Sequence, residues 1–119
     1  VQEQRGSVTI VRPRGVINIE TSPRFRTELM QLVRRRVPAV LVSLGELERM
    51  DTSGLATLVD AAQQLQARGV RLAVSGLDGE LTDELSLAQV RSAFPTFANE
   101  QEALADLGAA AHGQDEGGE

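Results

Sequence analysis

The sequence predicts one α/β domain, a mixed sheet of four or five strands packed by about four helices in the order β-β-α-β-α-β-α-β-α. Three observations carry this. The chain has 119 residues, one domain's worth when domains run to roughly 100–200 residues. Short apolar runs of strand length alternate with stripes spaced three and four residues apart, and such alternation builds a largely parallel sheet. The first two apolar runs are joined by a turn alone, too short for a helical crossover, so the sheet opens on an antiparallel hairpin.

Residues 1–7 are polar and unpatterned and read as a disordered or expression-derived lead-in; the absent initiator Met suggests a trimmed chain, and no apolar core of a signal peptide is present. Residues 8–12 alternate as a half-buried strand does, with Val8 and Ile10 inward and Thr9 outward. Pro13-Arg14-Gly15 turns the chain into a second strand over residues 16–19. Thr21 or Ser22 before Pro23 marks a helix start with a capping hydroxyl, and Phe25, Leu29, Leu32 and Val33 form its inward stripe until Pro38 ends it. Residues 39–42 are continuously apolar, as in a strand covered on both faces. After a loop beginning at Gly45-Glu46, Leu55, Leu58, Val59, Ala62 and Leu65 trace a second helix that Gly69 closes. Residues 70–74 form the next strand. Leu81, Leu85 and Ala88 suggest a short helix, and Phe94 and Phe97 about Pro95 an edge strand. A last helix spans residues 100–107, with Ala103, Leu104 and Leu107 inward. The domain thus covers residues 8–108, and residues 109–119 read as a flexible, acidic, Gly-rich tail.

Composition excludes much chemistry. With no Cys, thiol catalysis, disulfides and Cys-based zinc sites are absent. The single His, His112, lies in the tail, which leaves no Ser-His-Asp triad and no His cluster for a metal. Without Trp or Tyr, and with three Phe, the chain lacks stacking platforms for single-stranded nucleic acid. No apolar run reaches the roughly 20 residues of a membrane span. No cofactor, no metal, no nucleic acid and no direct membrane insertion are therefore expected. Charge is uneven: residues 1–36 hold eight Arg against three acids, and residues 37–119 hold four Arg against fourteen acids, a net −5 overall without a single Lys. Arg34, Arg35 and Arg36 close the first helical stripe, where cations favour the helix dipole. Asp78, Glu80, Asp83 and Glu84 cluster at a helix start, which acids favour for the same reason, and are not read as a metal site.

One segment is chemically distinctive. Met50 is expected to plug the base of the loop, and Asp51-Thr52-Ser53-Gly54 stands where the second helix begins. Thr52 or Ser53 can cap first-turn amides. Gly54 lacks the Cβ that would crowd a close-approaching backbone, and a hydroxyl here sits at the positive end of the dipole, a good place for a phosphate.

Residues 40–44, the following loop and Asp51-Thr52-Ser53-Gly54-Leu55-Ala56-Thr57-Leu58 resemble the signature of the STAS domain family of anti-sigma factor antagonists and sulfate-transporter regulatory domains. Gly15-Val16-Ile17-Asn18 resembles that family's early Gly-X-Leu/Ile-Asp element, residues 68–77 its helix-to-strand turn, and residues 94–97 with 102–104 its ending. The resemblance covers roughly residues 7–108. It implies a cytoplasmic, non-enzymatic binding module: an anti-sigma factor antagonist whose unphosphorylated form binds an anti-sigma factor with serine-kinase activity and frees the sigma factor. The phosphorylated residue implied by position is Ser53, with Thr52 second, and Asp51, Thr52, Ser53, Gly54 and Asn18 are the implied partner-binding residues. Asn18 stands where the family has an acid, and Ser43 where an acid or Asn commonly ends the third strand. The alternative implied by the same family is a regulatory subunit docking on the ATPase of a lipid-transport-type ABC transporter. Asp51-Thr52 also resembles the Asp-Thr-Gly of aspartic proteases, but those need a second carboxylate site and a β-rich body, and no second copy exists here.

Overall fold

The computed structural model describes residues 2–77, 88 and 90–117. In chain order the elements are β1 (Gln2–Arg5), β2 (Val8–Val11), β3 (Gly15–Ile17), α1 (Ser22–Arg34), β4 (Ala39–Ser43), β5 (Leu47–Met50), α2 (Thr52–Ala67), β6 (Arg71–Ser75), β7 (Thr96–Phe97) and α3 (Glu100–Gly117). The main sheet has five strands in the order β1-β2-β4-β6-β7, with β1 antiparallel and the rest parallel. A second, two-stranded parallel sheet pairs β3 with β5. The expected mixed α/β class is therefore the one observed.

Strand alternation sorts the core into two layers. Val40 and Val42 of β4, with Val11, Leu72 and Val74, meet Phe25, Leu29 and Leu32 of α1 and Leu55, Leu58 and Leu65 of α2. Ala39 and Leu41, with Val8, Ile10 and Ala73, face Ala103 and Leu107 of α3 on the other side. Each fully buried Leu contributes roughly 1.5–3 kcal/mol, so the two helical layers hold the sheet from both faces. Met50 is buried, as expected of a plug, and Val59 is half-buried against the first layer.

Several expectations are corrected. The hairpin is formed by β1 and β2, not by residues 8–12 with 16–19. β2 already has β1 and β4 as neighbours, so no ladder position is left for β3. The strand expected over residues 16–19 ends at Ile17, and Asn18 turns the chain. Thr9 is buried rather than outward, because helices cover both faces of β2; its hydroxyl donates to Gln4 Oε1 at 2.8 Å. The segment read as a disordered lead-in carries β1, whose Gln-Glu-Gln-Arg sequence has no apolar alternation because it lies at the sheet border. The loop after Gly45 contains β5, with Leu47 and Met50 inward and Glu48 and Arg49 exposed. α3 continues through Gly117 rather than ending at 107, since extending a nucleated helix through Ala-rich sequence costs little. Ala88, Val90 and Arg91 are helical; the rest of the short helix expected from Leu81 and Leu85, and the acids Asp78, Glu80, Asp83 and Glu84, lie outside the described residues.

Candidate functional site

The small sheet builds the site. β3 and β5 run parallel with Ile17 opposite Met50, and the Asp51 N–H donates to the Ile17 carbonyl at 3.1 Å. The chain after β3 and the chain after β5 therefore leave from adjacent strand ends, which brings Asn18 and the start of α2 to one edge.

Asp51 is the N-cap of α2, in extended backbone at φ −91° and ψ −176°. Its Oδ1 accepts from the Gly54 N–H at 3.0 Å and from the Ser53 hydroxyl at 2.7 Å. The Ser53 hydroxyl first, and the Gly54 amide second, hold this carboxyl below the usual Asp range. The cap is thus Asp51, not the hydroxyl of Thr52 or Ser53. Thr52 is exposed and Ser53 half-exposed, while Leu55 and Leu58 turn into the core.

Gly54 is buried beneath this turn. A Cβ built there would lie 2.7 Å from Met50 Cγ, 2.8 Å from Ile17 Cγ2 and 3.2 Å from the Ile17 carbonyl oxygen. Space, rather than an unusual dihedral, requires the glycine. The first turn of α2 presses directly on the β3–β5 ends, and that contact fixes where Ser53 projects.

Asn18 organises the neighbouring loop. Its Oδ1 accepts from the Glu20 N–H at 2.9 Å and the Thr21 N–H at 3.1 Å. Thr21, expected as a helix-capping hydroxyl, makes no side-chain cap to α1. Its hydroxyl instead donates to the Val16 carbonyl at 2.9 Å and accepts from the Asn18 N–H at 2.8 Å. The turn so formed leaves Ile19 75% exposed, with Val16 at 42%. These are the exposed large apolar side chains among the described residues. Sequence reasoning missed them, having placed both in a strand.

It also missed a charged network at the start of α3. Arg12 donates to both carboxylate oxygens of Glu100, at 2.7 and 2.9 Å, and to Glu3 at 2.7 Å. The buried Ser43 donates to Glu100 Oε2 at 2.5 Å. Hydrogen bonding to Arg12, against a burial cost and with help from Ser43, pulls the Glu100 carboxyl from 4.5 down to about 2. Ser43 was noticed at its strand end, but its partner lies 57 residues away, and no local pattern points to it. Among the described residues no group of three His, Cys, Asp or Glu side chains could hold a metal ion, and no helix is long and apolar enough to cross a membrane.

Among known proteins, the chain is similar to the anti-sigma F factor antagonist of Paenibacillus polymyxa, with 27% identity over 106 residues, 88% of this chain and 91% of that protein. Its fold is similar to that of an anti-sigma factor antagonist from Mycobacterium paratuberculosis, at a TM-score of 0.79 and 21% identity over 89% of this chain and 90% of the other. It is similar also to the anti-sigma factor antagonist SpoIIAA in its unphosphorylated form, at 0.70 and 15% over 90% and 96%. The STAS domain pattern matches residues 1–103, which takes in both sheets, the Asp51–Gly54 turn and the Arg12–Glu100 clamp: the chain belongs to the STAS domain family.

Proposed function

We propose that this protein is an anti-sigma factor antagonist, a cytoplasmic binding module without a catalytic step of its own, controlled by phosphorylation of Ser53. The observation that carries the reading is the accessible Ser53 hydroxyl on the first turn of α2, oriented by its 2.7 Å bond to Asp51. The similarity to anti-sigma factor antagonists, one of them solved in an unphosphorylated form, supports it.

The partner is an anti-sigma factor with serine-kinase activity. In the unphosphorylated form it covers Asp51, Thr52, Ser53 and the Asn18 loop, and takes up Ile19; burying an exposed Ile contributes roughly 1.5–3 kcal/mol. Phosphorylation replaces the Ser53 proton with a group carrying about −1.5 to −2 charges. Asp51 then loses a donor and faces a like charge, so the partner would have to desolvate two anions at one spot. The amides of the helix start hold the phosphate without refolding the domain.

The test is titration of wild type, Ser53→Ala and Ser53→Asp against the anti-sigma factor, with phosphate labelling by the kinase. Ser53→Ala should bind as wild type does and resist labelling, and Ser53→Asp should bind at least tenfold more weakly. Equal affinity in all three, or labelling that survives Ser53→Ala and vanishes in Thr52→Ala, contradicts the proposal. Stable capture of a transporter ATPase in place of the anti-sigma factor would move the chain to the other branch of the family.

A further inference from the structure

At the far end of α1 and α2 from the Ser53 turn, two contiguous hollows of about 510 and 430 Å³ share Val33, Arg36 and Arg68 as walls, and the first adds Arg26 and Arg34. Among the described residues no carboxylate lines either hollow. Arg26 is paired with Asp60, which stands outside the lining. Arg34, Arg36 and Arg68 are in none of the ion pairs formed among the described residues. Three guanidinium groups with no ion pair among the described residues thus converge on one concavity. Their planar forks suit the oxygens of phosphate groups.

The helix dipole accounts for part of this cluster, since Arg34 and Arg68 sit where α1 and α2 end. It does not account for Arg36. Both helices end in the same motif. In α2, Val70 N–H donates to the Leu65 carbonyl and Gly69 N–H to that of Gln66, with Gly69 at φ +81°. In α1, Val37 N–H donates to the Leu32 carbonyl and Arg36 N–H to that of Val33, with Arg36 at φ +56°. The position is the one glycine normally fills, and α2 fills it so. Arg36 is the only described non-glycine residue in the left-handed region. Glycine at 36 would relax the backbone, and Arg34 and Arg35 would still answer the dipole. Side chains kept in such conformations cluster at ligand sites.

We propose that this hollow binds an anion carrying two or more phosphate groups, with Arg34, Arg36 and Arg68 as its ligands. The three charges exceed the partial negative charges of the two helix ends, roughly half a unit each, so the site is net cationic. The phosphate can be soluble or carried on a lipid headgroup, and the experiment separates the two. The isotope-labelled full chain is titrated with sodium tripolyphosphate at low salt, and separately sedimented with vesicles of phosphatidylcholine containing phosphatidylglycerol or a bisphosphorylated phosphoinositide. Amide shifts should gather at residues 33–37 and 64–70, leaving 51–54 unmoved. Arg36→Gly should weaken binding at least fivefold while melting no lower than wild type, and Arg68→Gln should weaken it similarly. Binding of tripolyphosphate identifies a soluble ligand, and binding of phosphoinositide vesicles alone a lipid-borne one; either counts in favour only with loss in Arg36→Gly. Failure of tripolyphosphate and of phosphoinositide vesicles, equal binding to phosphatidylglycerol vesicles, undiminished affinity in Arg36→Gly, shifts centred on the α2 start, or equal affinity for polyglutamate overturns the proposal.

Discussion

Two serine hydroxyls in this molecule donate to a carboxylate at the start of a helix, and they differ in what surrounds the pair. Ser53 donates to Asp51 at 2.7 Å, half-exposed, and among the described residues no guanidinium pairs with that carboxylate. Ser43 donates to Glu100 at 2.5 Å from a buried position, and Arg12 occupies both oxygens of that carboxylate. The second pair is closed: its charge is neutralised and its hydroxyl has no route to a co-substrate. The first is open on the solvent side. The same two functional groups form a buried fastener at one helix start and a solvent-facing pair at the other, and burial plus one arginine makes the difference.

The comparison is most severely tested at Arg12. Arg12→Leu leaves Glu100 partly buried without its cation and should cost about 2–3 kcal/mol, measured by urea unfolding; a loss below about 0.5 kcal/mol would mean that the closed pair fastens nothing. Gly54→Ala tests the floor beneath the open pair. The added methyl meets Met50 and Ile17, and overpacking of this kind costs about 1–3 kcal/mol, offset in part by a helix-propensity gain of about 1 kcal/mol. A net loss of up to about 2 kcal/mol is expected, with the Ser53 amide resonance displaced.

Acid titration reads the clamp separately. The Glu100 pKa falls from 4.5 to about 2 on folding, so its contribution is fully present above pH 4.5 and is lost as pH falls through about 2. Allowing for its partial exposure, that contribution is about 1–2 kcal/mol. Wild type should therefore be more stable than Glu100→Gln at pH 6, and the gap should close between pH 4.5 and 2; a constant gap would show that the carboxylate charge plays no part. The smallest effects come from the hydroxyls themselves. Ser43→Ala should cost about 1 kcal/mol by removing a buried hydrogen bond to a charged group, while Ser53→Ala should stay within about 0.5 kcal/mol. Equal costs would erase the distinction between the pairs.

The place of the open pair was legible in the sequence and the closed pair was not. Residues 51–54 are consecutive, so a capped helix start and the close approach at Gly54 follow from local chemistry, although the cap is Asp51 and not the expected hydroxyl of Thr52 or Ser53. Arg12 and Glu100 are separated by 88 residues, and only the pairing of β2 with β4 and the packing of α3 brings them together. The same distinction governs the strands. β4 and β6 announce themselves as apolar runs because helices cover both faces. β1 is all polar, and Glu48-Arg49 interrupts β5, so neither carries a periodic signal. Thr21 misled for a related reason: its residue type suits a helix cap, but tertiary placement offered it Val16 and Asn18 instead.

The borders of the two sheets bear on how this molecule behaves in a crowded solution. On one side the main sheet ends in β1, four residues with Glu3 and Arg5 among them, and on the other in β7, only two residues long. The small sheet consists of three- and four-residue strands, one of which bears exposed Glu48 and Arg49. Unpaired backbone along a long, flat, apolar strand is what templates fibrils and unintended strand addition. Here each border is too short or too charged to do so. Among the described residues, association is thus left to side chains rather than to unpaired backbone, and side-chain contacts respond to a single charge as a backbone ladder does not.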